Sequence, residues 1–257
     1  MDFLQAIIFG VVQGISEFLP ISSTGHLILT GRFLGLAQTE FLKSFEIAIQ
    51  LGSILSVIIL YWRQLFTDWE TIKRVAIAFI PTGILGLVFY KVVRQYLLGS
   101  NAVVLWSLFL GGALLIIFEL WHKEKETASE DIAKISYAQS FLIGLAQSVA
   151  MIPGVSRSAA TILGGLALGI KRKVIVEFSF LLAVPTMLAA TGLDLIKNAD
   201  QFSLSQWNFL MAGFIVSFIV ALASIKFLLN FIKKRSLIVF GIYRIALALA
   251  FWLLILR

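Results

Sequence analysis

Apolar residues run along this chain in long unbroken blocks, without the alternation of a strand or the one-sided stripe of a surface helix. Six blocks, at residues 45–62, 75–93, 102–121, 174–196, 207–231 and 237–256, approach the roughly 20 helical residues needed to cross a hydrocarbon core of about 30 Å. Short polar connections separate them, at residues 63–74, 122–134, 171–173 and 233–235. The stretch 122–131 is the most polar and reads as a solvated loop without chemistry. The pattern predicts an all-α integral membrane protein.

Two further apolar segments, residues 3–36 and 137–170, are broken in the middle. The breaks are Leu19-Pro20-Ile21-Ser22-Ser23-Thr24-Gly25 and Ile152-Pro153-Gly154-Val155-Ser156-Arg157-Ser158. Proline removes a helical donor and glycine relaxes the backbone, so each segment predicts two half-helices joined by a turn, too short to span and folded back as a re-entrant hairpin. Irregular backbone survives at membrane depth only where protein or a wet cavity satisfies it. At an offset of 134 positions Gln5 meets Gln139, Gly10 meets Gly144, Gln13 meets Gln147 and Ser22 meets Ser156. Ile28, Leu29, Gly31, Leu34 and Gly35 also find their like. This reads as an internal duplication. Three predicted crossings lie between the copies, and an odd number inserts the second copy from the opposite face. The expectation is an inverted-topology repeat, each half one re-entrant helical hairpin plus three transmembrane helices. Residues 1–257 then form a single membrane domain, with repeat 1 at about 1–121 and repeat 2 at about 137–257.

Composition agrees with this picture: 60% of the 257 residues are hydrophobic and 14% charged, where a soluble domain carries about 25% charged. The net charge of +7 does not imply nucleic acid, because the cations cluster in short loops between apolar runs. Residues 63, 73, 74, 123, 125, 134, 171–173 and 233–235 supply twelve cations to one side; residues 32, 43, 91, 94, 197 and 257 supply six to the other. The richer side is expected in the cytoplasm, so the first hairpin opens outward. No cysteine is present, which excludes disulfides and thiol chemistry. The first residues lack a basic region and a small-residue cleavage site, so no removable signal is expected.

Ionisable groups at membrane depth are functional candidates by default. Gln13 and Glu17 are four apart, on one face of the first arm. Ser22, Ser23, Thr24 and Gly25 occupy the turn and the start of the second arm, where free backbone amides attract anions, and His26 follows within one turn. Ser156, Arg157 and Ser158 place a guanidinium among hydroxyls, a suitable grip for phosphate oxygens. Ordinary readings stand beside these: N-caps for the hydroxyls, a core histidine for His26, an Arg157 ion pair with Glu17 or Glu46 that serves packing. Together the groups are equipment for phosphoryl transfer by positioning and charge stabilisation. Supporting candidates are Glu46 with Gln50, four apart, and Glu177 with Ser179. Glu46 is expected either to orient His26, to bind a cation or to serve packing, and Arg244 to pair with a buried acid. Gly111 and Gly112 offer a small-residue face for a homodimer.

At these residues the sequence closely resembles the undecaprenyl-diphosphate phosphatase family of the bacitracin-resistance type. The resemblance rests on GVVQGISEFLPISSTGH at residues 10–26, SFEIAIQLGS at 44–53, PGVSRSAAT at 153–161 and EFSFLLAVP at 177–185, and extends through nearly the whole chain. It implies a multi-pass enzyme of the bacterial cytoplasmic membrane, its active site open to the periplasmic side. The enzyme removes the terminal phosphate of undecaprenyl diphosphate, recycling the lipid carrier for peptidoglycan and giving bacitracin resistance. It further implies a divalent cation, with Glu17 the second acid of a (Glu/Gln)-x-x-x-Glu signature and Gln13 standing where many relatives carry glutamate. Ser23 and His26 match the catalytic serine and histidine, and Ser156, Arg157 and Thr161 the phosphate-binding motif. The expected arrangement has the polyprenyl tail among membrane lipids and helices, the phosphates on Arg157, Ser156, Thr161 and the turn amides, and Mg²⁺ or Ca²⁺ on Glu17 and Gln13. Ser23 activated by His26, His26 itself, or water remain open as nucleophile. A polyprenyl-phosphate flippase is the alternative, since inverted repeats with broken helices are typical of transporters.

Overall fold

The computed structural model describes residues 1–37, 39–97, 100–124, 131–198 and 206–255. These are helices and turns, with no β-strand element among them. Five helices are long and apolar enough to cross a membrane: α3 (Glu40–Leu60), α5 (Trp69–Val92), α6 (Asn101–Trp121), α9 (Arg172–Asn198) and α10 (Trp207–Phe231). The sixth expected crossing is α11 (Ile238–Ile255), apolar but only 18 residues, or about 27 Å. The polar connection after α3 contains a short helix that the hydropathy pattern did not predict, α4 (Trp62–Phe66). Residues 125–130 of the expected solvated loop lie outside the described residues.

Both interrupted segments are pairs of short helices. The first is α1 (Phe3–Ser16) and α2 (Ser23–Phe33), the second α7 (Tyr137–Ser148) and α8 (Arg157–Ala167). With 14, 11, 12 and 11 residues, none exceeds about 21 Å, well short of a bilayer. Helix α1 starts with a capping box between Asp2 and Gln5, and α7 with one between Ser136 and Gln139. Helix α2 is followed by Gly35 at φ 67° and α8 by Gly169 at φ 78°, the left-handed exit that glycine takes without steric cost.

Helices α3 and α9 form the centre, 67% and 61% buried over their apolar stretches, against 22–33% for α5, α6 and α10. The outer helices turn Leu87, Val88, Leu114, Ile117 and Ile219 outward, as lipid as solvent allows. Helix α10 lies along α1 and α3, α5 lies along α7 and α9, and α6 pairs with α11. Lipid tails are as apolar as leucine, so these contacts depend on close packing more than on hydrophobic drive. Gly10 and Gly14, one turn apart on α1, let it approach α10 so closely that a Cβ would sit 2.7 Å from the Gly213 and Ser217 carbonyl oxygens. Gly112 faces the backbone of Gly241 in α11. The small-residue face expected to serve a dimer is thus occupied within the chain.

The turns carry the only positive-φ non-glycine residues described: Ser22 (φ 73°) and Ser156 (φ 79°). Their ψ values of 95° and 113° lie beyond the left-handed helical well, a conformation costing about 1–3 kcal/mol each. Each serine offsets part of this cost by capping the helix it precedes: Ser22 Oγ accepts from the Gly25 amide at 3.3 Å and Ser156 Oγ from the Ala159 amide at 3.2 Å.

Arg244 of α11 holds the rest. Its side chain is fully buried, and its hydrogen bonds run to carbonyls, not to the acid expected from the sequence. Nη1 donates to Pro20 O (3.4 Å) and Val155 O (3.0 Å), one from each turn. Nη2 donates to Gly154 O and Ser107 O, both at 2.9 Å, and Nε to Leu108 O at 3.3 Å. A planar guanidinium with five donors can hold diverging carbonyls, here three from the two turns and two from α6.

Two outcomes follow from this packing. Gly14→Val drives a branched side chain into α10 and lowers the thermal midpoint, at an overpacking cost of about 1–3 kcal/mol, readable by tryptophan fluorescence in detergent. Arg244→Lys leaves carbonyls of both turns unpaired, so hydrogen–deuterium exchange rises together at residues 18–22 and 152–156; a rise confined to α11 would remove its role as the clamp.

Candidate functional site

The two turns meet through their side chains as well as through Arg244. Glu17 ends α1 and Arg157 opens α8, and Arg157 Nη2 lies 3.4 Å from Glu17 Oε1, with side chains 10% and 2% exposed. Arg157 Nη1 donates to the Ser179 carbonyl of α9 at 2.6 Å. Gln13, one turn before Glu17, donates from Nε2 to Glu17 Oε2 at 2.8 Å. Ser158 Oγ donates to Phe18 O at 2.7 Å, and Phe18 packs edge-on against Phe180 with ring centroids 5.3 Å apart. Of the two partners expected for Arg157, the structure selects Glu17. Breaking a buried pair of this kind strands a charge at about 3–5 kcal/mol.

The hydrogen bonding is incomplete where a ligand would need it. Gln13 Oε1, Arg157 Nε and Glu46 Oε1 are buried without partners among the described residues. Ser23 and Thr24 are partly exposed on α2, and neither hydroxyl has a bond among the described residues. The exposed positions near the start of α2 are polar (Ser23, Thr24, His26) while Gly25, Leu27, Ile28 and Leu29 are buried, the reverse of a lipid-facing helix. The Ser22 and Ser156 hydroxyls accept the capping amides, which leaves their own hydrogens free to donate. The Ser158 and Thr161 hydroxyls are already committed, to Phe18 O and to Arg157 O (2.9 Å). Thr161 also faces Gln147, whose amide nitrogen serves Thr82 and Thr186.

His26 is held at both ring nitrogens. Nδ1 lies 2.7 Å from Ser22 O and Nε2 lies 2.8 Å from the Tyr243 hydroxyl, whose ring stacks on the imidazole at 5.5 Å and 9°. A carbonyl only accepts, so the proton is on Nδ1, and in the neutral ring the Tyr243 hydroxyl donates to Nε2. No bond joins His26 to Ser23. Glu46 does not orient His26 either, since both ring positions are taken. Glu46 and Gln50 are buried on α3 without a bond to Glu17, His26 or Arg157. Glu177 stands apart, 4.0 Å from Lys173 and partly exposed.

Sequence reasoning passed over Tyr243, which lies in an apolar run where a tyrosine looks like one more aromatic. Its neighbour Arg244 was the available signal, as a charge in the middle of a crossing.

For a hard cation the donor set fits: the Gln13 Oε1 acceptor is open beside the Glu17 carboxylate, and Mg²⁺ commonly takes one or two protein oxygens with phosphate and water as the rest. No cluster of three or more acidic, histidine or cysteine side chains exists among the described residues, so substrate oxygens would have to complete the shell.

Comparison with known proteins bears on this arrangement. Residues 6–250 match the family described as bacitracin resistance protein BacA. The undecaprenyl-diphosphatase of Aquifex aeolicus is 53% identical over 247 residues, 96% of each chain. That of a Sulfurihydrogenibium species is 54% identical over 253 residues, 98% of this chain and 99% of its own. That of Persephonella marina is 49% identical over 256 residues, the full length of both. Matched from near its first residue to near its last, the chain belongs to the bacitracin resistance protein BacA family.

Proposed function

We propose that this protein hydrolyses undecaprenyl diphosphate to undecaprenyl phosphate and inorganic phosphate in the bacterial cytoplasmic membrane, recycling the carrier lipid for peptidoglycan. The observation that carries the reading is the Glu17–Arg157 pair, drawn from two broken hydrophobic segments, with open hydroxyls of Ser23 and Thr24 at the adjoining helix start. The relatives, named for this reaction over their full lengths, supply the substrate.

The architecture we infer is one domain of two inverted repeats, with α1–α2 and α7–α8 as re-entrant hairpins. Supporting it are the paired capping boxes, the strained serines and the glycine exits, all recurring at the 134-residue offset. The exchanged packing supports it too, α1 on α10 and α7 on α5. The distribution of cations supports a first hairpin that opens to the outer side.

The terminal phosphate would lie against Arg157, the free amides starting α2 and α8, and the hydroxyl hydrogens of Ser22, Thr24 and Ser156. Ser158 and Thr161 hold the turn and not the ligand. Gln13 and Glu17 would hold Mg²⁺ or Ca²⁺, which when bound neutralises charge on phosphate oxygens. Ser23 Oγ would attack the terminal phosphorus, the bond to the bridging oxygen breaks, and undecaprenyl phosphate leaves; water then hydrolyses the serine ester. The proton leaving Ser23 is accepted at His26 Nε2, which requires the Tyr243 hydroxyl to relay it or turn aside.

Phosphate release from undecaprenyl diphosphate by purified protein in detergent tests the reading. Wild type turns over with Mg²⁺ or Ca²⁺. Ser23→Ala, whose hydroxyl supports nothing in the fold, and Arg157→Ala each fall by about 100-fold or more, with thermal midpoints separating lost chemistry from lost fold. An acid-stable phosphoserine is the expected trapped adduct; an acid-labile one moves the nucleophile to His26. No release from folded wild type would sink the hydrolase and favour lipid transfer.

Tyr243→Phe keeps the stacked ring and removes the hydroxyl. It should lower kcat by about tenfold with little change in KM and displace the basic-group limb of the pH–rate profile; an unchanged profile makes Tyr243 packing alone.

A further inference from the structure

The densest positive charge on the molecule belongs to none of this machinery. Residues 171–173, Lys-Arg-Lys, join α8 to α9, and residues 233–235, Lys-Lys-Arg, join α10 to α11. Far apart in sequence, the two triplets line one cleft of about 490 Å³, together with Glu119, Glu124, Ile232 and Ser236. Six cations therefore face two carboxylates.

Both carboxylates are committed to the walls. Glu119 lies 2.9 Å from Arg172 Nη1 and accepts from the Ser236 hydroxyl at 2.8 Å. Glu124 accepts from the Arg172 amide at 3.0 Å. These bonds tie the start of α9 to the end of α6 and the α10–α11 loop, so the cleft is built, with Arg172 as part of its frame. Excess charge remains at its mouth. Lys234 and Arg235 are exposed. Among the described residues Lys233 reaches only Asn230, at 3.5 Å, and Lys173 only Glu177, at 4.0 Å with 68% of its side chain exposed.

The place of the cleft decides what could fill it. It lies where α6 and α10 end and α9 begins, at the border between apolar helix and water. Trp121, the last residue of α6, is 85% exposed, and Phe227, near the end of α10, is 53% exposed. Exposed aromatic side chains toward the same helix ends as a basic cleft suit a molecule with an anionic head and an apolar tail. A free anion would gain nothing from those apolar flanks. We propose that this cleft binds the phosphate headgroup of an anionic phospholipid, with its acyl chains along the exposed apolar flanks of α6 and α10. Basic pockets between membrane helices bind lipid headgroups through the same chemistry. The site is separate from the turns and does not depend on which reaction they catalyse.

The test uses the full-length protein in neutral detergent, with phosphatidylglycerol, phosphatidylcholine or 10 mM inorganic phosphate added as probes. Binding to the folded state alone raises the thermal midpoint by mass action, here by about 5 °C with phosphatidylglycerol and by much less with phosphatidylcholine. Native mass spectrometry should retain phosphatidylglycerol on the same sample. The variant Lys233→Gln/Lys234→Gln/Arg235→Gln, all exposed positions, should lose most of the shift. A control, Arg63→Gln/Lys73→Gln/Lys134→Gln, removes as many cations from outside the cleft and should keep it. Equal loss in both variants would replace the cleft by diffuse surface charge. An equal shift with phosphatidylcholine, or an equal shift with inorganic phosphate that the triple variant also loses, would overturn the lipid assignment. If the triple variant folds poorly, Lys234→Gln and Arg235→Gln singly must each show part of the loss, and retention of the full shift by both rejects the site.

Discussion

A chain broken inside an apolar environment must find a partner for each carbonyl and amide that leaves a helix, and that demand organises this molecule. Pro20 and Pro153-Gly154 lie in the turns that follow α1 and α7, and carbonyls of both turns converge on one side chain. Arg244 satisfies carbonyls of both turns and of α6 without a counter-acid. A cation held by dipoles alone is costly to desolvate, so its guanidinium stays where every donor is used. Because one Nη1 bonds to both turns, neither turn can shift without breaking its hold on the other. The close approach of α11 to Gly112 of α6 serves the same end, bringing Arg244 within reach.

On this scaffold the site proper is left unfinished. Arg157 uses Nη1 and Nη2 but buries Nε without a partner; Gln13 uses its nitrogen but buries its oxygen without one. Each orphan costs about 1–3 kcal/mol. A ligand carrying phosphate oxygens and a hard cation would satisfy both, gaining on binding what the free protein lacks. Ser158 and Thr161 show a different condition: their hydroxyl hydrogens are already donated to Phe18 O and Arg157 O, which fixes the start of α8. A motif of hydroxyls thus divides into those that build the turn and those that face its opening.

Much of this was legible because the bilayer simplifies the code. A long apolar block reads as a buried or spanning helix; proline with glycine marks the breaks at residues 19–25 and 152–158, although α5 runs unbroken through Pro81 and Gly83. Glu17 and Arg157 stood out because charge at that depth needs a reason. The reason for Arg244 was hidden, since backbone carbonyls leave no residue signature and an acid was the natural partner to expect. Tyr243 was hidden by its dual character, apolar in a hydropathy profile and polar at one atom. Glu46 was one candidate to orient His26, as a polar residue in an apolar run, yet the imidazole is bonded at both nitrogens by Ser22 and Tyr243. Hydroxyl direction was beyond reach too: the sequence does not say that the Ser158 hydroxyl is spent on Phe18 O while that of Ser23 has no bond among the described residues.

The two turns also show how one local structure can carry two chemistries. At the 134-residue offset Ser22 and Ser156 have nearly the same φ and each caps the next helix. Around that shared frame the residues differ in kind. Glu17 corresponds to Met151, Ser23 to Arg157 and His26 to Ala160. One turn thus holds the acid, the open hydroxyl and the imidazole, while the other holds the guanidinium. Two identical turns would have brought like charges together at their meeting point, where burial makes repulsion severe. Divergence in the side chains on an unchanged backbone puts opposite charges there instead. The contact that joins the halves is then the same one that can be lent to a phosphate.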